Sequence, residues 1–553
     1  MSSQATGFCN FDFQILHFND STEVIFLSVF KPQPFCDDYL DYLHDESRTS
    51  GYAESISFPR SEDEIAGLMH MLYDAGTPVT IQGARTGLAA AAVPFGGHIM
   101  NLSRMDRVLS LEKAPDGAFL VTVEPGLTLL KLRKFLEEKR FETDAFSPAS
   151  EAALREFEKA PQQFFPPDPT EATASLGGMA ACNASGARSF LYGAMRAHVE
   201  RARVVLPGGD RLTLVRGACA AAGRTLTLTT DSARTYTLTL PGYRMPDTKN
   251  ASGYYIAPGM DALDLFLGSD GTLGAITSLT LRLRPLPPVI WGVNCFFARE
   301  EDALSFVARV REDRSGLAAI EFFDADAMAI LRRQKAEHPA FSSLQPTDPE
   351  MRAVVSIELH AQSEEEAFSQ LERIGALMNA CGGDERASWV ARTAADLAQL
   401  SFFRHAIPES VNMLIDERRR KNSVITKLGT DLSVPDAHLE DMMRAYRAGL
   451  REEELESAIW GHIGANHLHV NILPRSEAEY HKGKALHARW AQLAAAYGGA
   501  VSAEHGVGKI KAPFLRLMYG DAHVAEMAVL KAQLDPKGLL GRGNLFAGKG
   551  DGV

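Results

Sequence analysis

Residues 166–199 read PPDPTEATASLGGMAACNASGARSFLYGAMRAHV. Gly177, Gly178, Asn183, Ser185 and Gly186, set among small alanines, are poor material for a helix core and good material for close backbone approach to a flat ligand. Two other stretches share this chemistry. IQGARTGLAAAAVP, Ile81 to Pro94, follows the strand-like TPVT, and Gly83, Ala84, Thr86 and Gly87 read either as a nest of N–H groups for an anion or as a plain tight turn. FLGSDGTLGAIT, Phe266 to Thr277, is a Gly/Ser/Thr turn entering a strand.

Outward from these loops the pattern alternates. SISFPRSEDEIAGLMHMLYDAGTPVTIQG, from Ser55, predicts strand, helix and strand, with Ser61 before three acids as the helix start and Ile65, Leu68, Met71 and Leu72 as its apolar stripe. Strands follow at Phe119–Val123 and Ala202–Leu206, and Leu226 to Leu240 predicts a hairpin with one wet face. The Pro-rich seam Leu281 to Gly292 marks a boundary, because proline withholds a donor from a continuing sheet. Beyond it, helices SEEEAFSQLERIGALMNACGG and PDAHLEDMMRAYRAGL interleave with strands VVSIELHA and AIWGHIG. The expected organisation is an extension over 1–37, a first domain over 38–285 and a second, α+β domain over 286–553.

At 553 residues the chain exceeds one hydrophobic core, and 45% hydrophobic composition supplies full ones. A net charge of −13 repels phosphate backbones and argues against nucleic acid as a partner. Six scattered cysteines read as thiols in a reducing compartment. The start lacks a basic, cleavable leader, so the cytoplasm is the expected location, with peripheral membrane contact through a partner left open.

The densest chemistry lies near the C-terminal end, in WGHIGANHLHVNILP (Trp460 to Pro474) and SAEHGVGK (Ser502 to Lys509). His462, His467 and His469 crowd into one short window of a chain with 16 histidines. Alternation puts His467, His469 and Asn471 on one strand face, with Leu468, Val470 and Ile472 on the other. Two imidazoles and the Glu504 carboxylate suit zinc, manganese or iron(II), and ligand type alone does not choose among them.

In this order and spacing, the loops and the His/Glu segments resemble the vanillyl-alcohol oxidase superfamily, in the branch of bacterial D-lactate dehydrogenases and the glycolate oxidase flavoprotein subunit. The resemblance runs from about Asp45 to Phe546. It implies an α+β architecture: a two-subdomain flavin-binding domain of the p-cresol methylhydroxylase (PCMH) type, then an α+β substrate domain. FAD is the implied cofactor. Its contacts would come from Gly83, Ala84, Arg85, Thr86, Gly87, Leu88 and Pro94; from Pro167, Asp168, Gly177, Gly178, Asn183, Ser185, Gly186, Tyr192 and Gly193; and from Gly268, Asp270, Gly271, Ile276 and Asn544. Thr86 stands where covalently flavinylated members place His, which implies non-covalent FAD. Asp270 replaces the usual Glu, Ala84-Arg85 interrupts a glycine run, and Gly541-Arg542 replaces Asn-Pro ahead of Asn544.

The same resemblance makes His462, His469 and Glu504 metal ligands, His505 the base and Arg404 the substrate-carboxylate anchor, with Lys427 a looser match. His467 takes the place of a substrate-contacting Asn. The expected activity is FAD-dependent oxidation of a D-2-hydroxy acid to the 2-oxo acid. Electrons would pass to a quinone, an electron-transfer flavoprotein, a cytochrome or an iron–sulfur subunit. The rivals are a metal-independent FAD oxidase of a sugar or alcohol and a non-catalytic electron-relay subunit.

Overall fold

The computed structural model describes residues 32–546. Most of the expected extension, residues 1–31, lies outside the described residues. Gln33–Pro34 pairs with Ser55 and Ile56, the edge of a four-stranded sheet that continues through His98–Asn101 to Val79–Gln82. Ser61 caps the helix Glu62–Asp74 by accepting the Glu64 amide, and Ile65, Leu68, Met69 and Leu72 are buried under it. Met69 takes the core position expected of Met71, which is only partly buried.

A second, antiparallel sheet orders its strands Val108–Lys113, Phe119–Val123, Ala275–Arg282, Val199–Val205, Arg211–Val215. The strand latest in sequence is central, so the loop 266–274 that feeds it is delivered into the middle of this half of the molecule. The threonine-rich run forms the expected hairpin: Thr225–Thr229 pairs with Thr235–Thr239, leucines buried and threonines exposed.

After the Pro-rich seam comes an eight-stranded antiparallel sheet. Its path runs Trp389–Ala391, Val289–Phe297, Ala353–Ala361, Leu317–Asp324, Ser457–His462, His467–Ile472, Leu428–Gly429, with Leu432–Ser433 also on His467–Ile472. One face divides along its length. Phe296, Phe323, Val354, Ala458 and Trp460 pack under the helices Ala325–Glu337 and Ala394–Lys421. Toward the other end, the register places Glu321, Glu358, His360, His462, His467 and His469 on that same face. The fold is α+β, and among the described residues no helix is long and apolar enough to cross a membrane.

The ionisable end is closed by the segment that opened the sequence. Arg188 Nε donates to Glu358 Oε1 at 2.6 Å, and His360 stands 2.7 Å from both Glu358 and the Tyr192 hydroxyl. Burial works against the Glu358 carboxylate, but Arg188 and His360 hold it well below the usual range. A depressed carboxylate stabilises above its unfolded value of 4.5 and loses that contribution as pH falls through the folded value. Glu358→Gln should therefore cost about 3 kcal/mol at neutral pH in urea unfolding, the gap to wild type narrowing below pH 4.5. A gap independent of pH would assign the loss to packing instead.

Candidate active site

Strand Ser457–His462 turns through a single 3-10 turn into His467–Ile472, with Asn466 left-handed at φ 50°. Gly461 is required there: a Cβ would stand 2.9 Å from the His467 carbonyl and 3.1 Å from the His469 ring. Strand alternation sets His467 and His469 on one face as expected, and His462 joins them from the end of the paired strand Ser457–His462 rather than from within the turn. Glu504 reaches them from the loop 502–508, and one ligand atom from each of the four residues lies within 4.8 Å of the others.

The outer ring nitrogens are held. His462 Nδ1 lies 2.6 Å from Glu321 Oε1, and His469 Nδ1 is 2.9 Å from the Thr430 carbonyl. His467 Nε2 stands 2.8 Å from Asp431 Oδ1. The inner nitrogens face Glu504, whose Oε2 is 3.1 Å from His462 Nε2 and 3.4 Å from His467 Nδ1. Imidazoles that ligate metals are oriented in this way, by an acceptor on the far nitrogen. The donor set of nitrogen and carboxylate oxygen therefore fits a divalent cation. Burial raises the cost of ionising Glu504, yet Lys249, 2.9 Å away, and His462 keep its pKa well below the ordinary value.

His505 follows on the same loop, its ring stacked on His469 with centroids 5.5 Å apart. A quarter of its side chain stays open. Burial, with Lys511 nearby, outweighs the pull of Asp431 and lowers its pKa, so the ring is neutral and able to take a proton. Asp431 fixes this loop: it accepts the amides of Glu504 and His505, each at 3.1 Å, and the Ser502 hydroxyl at 2.8 Å. Arg404 sits half-buried on the long helix Ala394–Lys421, near enough to Asp168, Glu321 and His405 to bias their ionisation. Lys427 lies 5.8 Å over the Trp460 ring, and the protein around it lowers its pKa to about 8.

The three small-residue loops meet against this loop. A Cβ on Gly506 would lie 2.6 Å from Asp270 Oδ1, and one on Gly508 2.0 Å from the Ala89 carbonyl. Asp270 Oδ2 accepts the amides of Val507 and Gly508, so this side chain joins the 268–274 loop to the histidine loop. Asn544 likewise donates to the Ala91 and Asp270 carbonyls and accepts from Lys509. The Ala84 amide is taken by Ser175 Oγ and drops out of the expected nest, while Arg85 reaches the Asp41 carbonyl. Gly83, Thr86, Gly87 and Leu88 keep a partly or fully exposed edge, whereas Pro94 is buried. Asn183 accepts the Arg196 amide, Asp168 the Arg188 amide, Pro167 a contact from Arg133, and Tyr192 turns to His360. Gly177 and Gly178 lie within the short helix Leu176–Ala181 rather than in a loop, Gly177 because a Cβ there would stand 2.5 Å from the Pro125 side chain; Gly186, Gly193, Gly268 and Gly271 shape turns, and Ile276 pairs in the central strand opposite Val204.

Two observations fit a bound dinucleotide. Ser185 Oγ is buried with no partner. Arg85, Asn183 and Asp270, one in each loop, hold left-handed φ between 49° and 60°, a strain tolerated where a backbone is shaped for a ligand. Sequence reading missed Lys249 and Glu321. Glu321 had a signal, an acid inside the otherwise apolar run LAAIEFF; Lys249, 255 residues from its partner, had none.

Two family models match this chain. Residues 286–545 match the model for the C-terminal domain of FAD linked oxidases, and residues 53–153 and 151–214 match an FAD binding domain. The chain is 26% identical to a D-lactate dehydrogenase of Anaerostipes hadrus over 514 residues, covering 91% of this chain and 92% of that one. It is also 26% identical to a D-2-hydroxyglutarate dehydrogenase of Stutzerimonas stutzeri, covering 89% and 91%. Among solved structures, p-cresol methylhydroxylase superposes with a TM-score of 0.63 at 14% identity, covering 94% of each chain. The 4-ethylphenol oxidase of Gulosibacter chungangensis gives 0.62 at 15% identity, covering 93% and 94%; both show the fold alone.

Gly186→Ala tests the cradle, because its Cβ would stand 2.1 Å from the Asp168 carbonyl oxygen. The variant should purify without the visible flavin absorbance of wild type. Full flavin content would show that this approach is not needed.

Proposed function

The chain belongs to the FAD-linked oxidases, and from that premise we propose that it oxidises a D-2-hydroxy acid to the corresponding 2-oxo acid. The observation that carries this reading is the His505 ring stacked on His469, beside the His462, His469 and Glu504 cluster. Relatives named for D-lactate and D-2-hydroxyglutarate support the substrate class. We assign residues 38–285 to flavin binding and 286–553 to substrate and metal.

The reaction removes two electrons and two protons from the carbinol. FAD, held non-covalently because Thr86 offers no imidazole for attachment, supplies an acceptor for the α-hydrogen as hydride. A divalent cation held by His462, His469 and Glu504 supplies Lewis acidity, which lowers the pKa of a bound water from 15.7 to about 7 and acts on an alcohol in the same sense. His505 takes the hydroxyl proton at whichever ring nitrogen faces the substrate oxygen. Asp431 fixes the backbone from which that ring projects. Arg404 pairs with the substrate carboxylate, its planar fork matching both oxygens and so selecting the face turned to the flavin. The electrons leave for a separate acceptor, of which a cytochrome is one class represented among the named relatives.

Anaerobic mixing with a panel of D- and L-2-hydroxy acids should bleach the flavin with D enantiomers only. Hydrogen peroxide production with sugars or simple alcohols, insensitive to chelators, would replace this reading with a metal-independent oxidase. His505→Ala should retain flavin while losing reduction by substrate, and normal bleaching in that variant would remove His505 from the base role. Prolonged chelation should inactivate without releasing FAD; turnover in metal-free protein would overturn the cation's part.

A further inference from the structure

Resting on that metal reading, we propose that His467 is a third imidazole ligand, so that the cation is held by three nitrogens and one carboxylate rather than by two nitrogens and one. His467 is fully buried; its Nε2 lies 2.8 Å from Asp431 Oδ1, but its Nδ1 has no hydrogen-bond partner. Polar atoms sealed from water are paired in nearly every folded protein, so Nδ1 requires an explanation.

The surroundings supply one. Nε2 lies 2.8 Å from Asp431 Oδ1 and Nδ1 lies 3.4 Å from Glu504 Oε2. With the imidazole proton on Nε2, toward Asp431, the Nδ1 lone pair is left toward Glu504 Oε2 and the centre of the cluster. Lys249, 2.9 Å from that oxygen, balances the Glu504 charge but gives Nδ1 no hydrogen bond, so the lone pair stays open to a cation.

The same construction is repeated around the cluster. His462 turns one nitrogen to Glu321, His469 one to the Thr430 carbonyl, and His467 one to Asp431; in each ring the other nitrogen remains for a common centre. Three rings fixed from outside toward one carboxylate is what a preorganised metal shell requires. The third nitrogen also changes the preferred cation. Imidazole suits zinc, iron(II) and cobalt, whereas magnesium, calcium and manganese favour oxygen donors.

The test uses full-length, flavin-loaded enzyme reloaded with zinc. X-ray absorption at the zinc edge should count three imidazoles in wild type. His467→Asn should keep its flavin, lose one imidazole from the count and bind zinc about ten- to a hundredfold more weakly against a competing chelator. Two imidazoles in wild type, or unchanged zinc affinity in a flavin-loaded His467→Asn, would overturn the proposal. If the variant fails to fold, the wild-type count decides alone. No zinc uptake by wild type would defeat the broader metal reading together with this one, whereas a bound zinc with two imidazoles defeats only this one.

Discussion

The Asp431 carboxylate is the constraint on which the rest of the site depends. It is almost wholly buried, and an isolated ionised carboxylate in that position would be prohibitive. Lys511 donates to it, as do Ser502 and the amides of Glu504 and His505, and His467 and His505 turn ring nitrogens toward it. Burial would raise its pKa, but these partners hold it well below the ordinary value, so it stays charged. The consequence is geometric. The proposed base, His505, and the proposed metal-ligating carboxylate, Glu504, adjacent on one loop, are anchored to a residue more than seventy positions earlier in the chain. A neutral side chain at 431 would leave Lys511 buried without a counter-charge, so the loop and its cation stand or fall together.

Around that anchor the large sheet does two jobs with one face. Where Phe323, Val354 and Trp460 point outward, helices cover it and the burial is ordinary hydrophobic packing. A few residues further on, Glu321, His462 and His469 replace them, and helices of that kind would strand their charges. The flavin-binding half covers this end instead, through Arg188 on Glu358 and Tyr192 on His360. The cleft is thus a necessary result of changing side-chain character along strands whose backbone pairing does not change.

That change was readable. The alternation of His467, His469 and Asn471 against Leu468, Val470 and Ile472 is a local property with period two, and the strand obeys it. The hairpin of threonines and leucines, the capped helix after Ser61 and the small-residue loops are local in the same sense. What sequence could not show was side-chain direction within a motif. Asp270 and Asn544 sit in segments that resemble flavin-contact motifs, yet their side chains tie loops to one another, because partners at Ala91 and Val507 arrive only in the folded chain. Lys249 is invisible for the same reason: nothing near it in sequence announces a carboxylate 255 positions away.

The site also resolves a conflict of charge at short range. A proton acceptor must be neutral, while a cation shell must be electron-rich, and the two stand one ring-stack apart. The fold separates them by unequal company. His462 lies between Glu321 and Glu504, which overcome the burial penalty and raise it to about 9. His505 feels Asp431 and Glu504 as well, but burial, with Lys511 beside Asp431, outweighs them and pushes it down. Two imidazoles of the same intrinsic basicity are driven apart by where carboxylates and ammonium groups fall, and divergence of that kind is what assigns roles in a catalytic centre. It fits the proposed division, with His505 as the proton acceptor and the acids around His462 favouring positive charge.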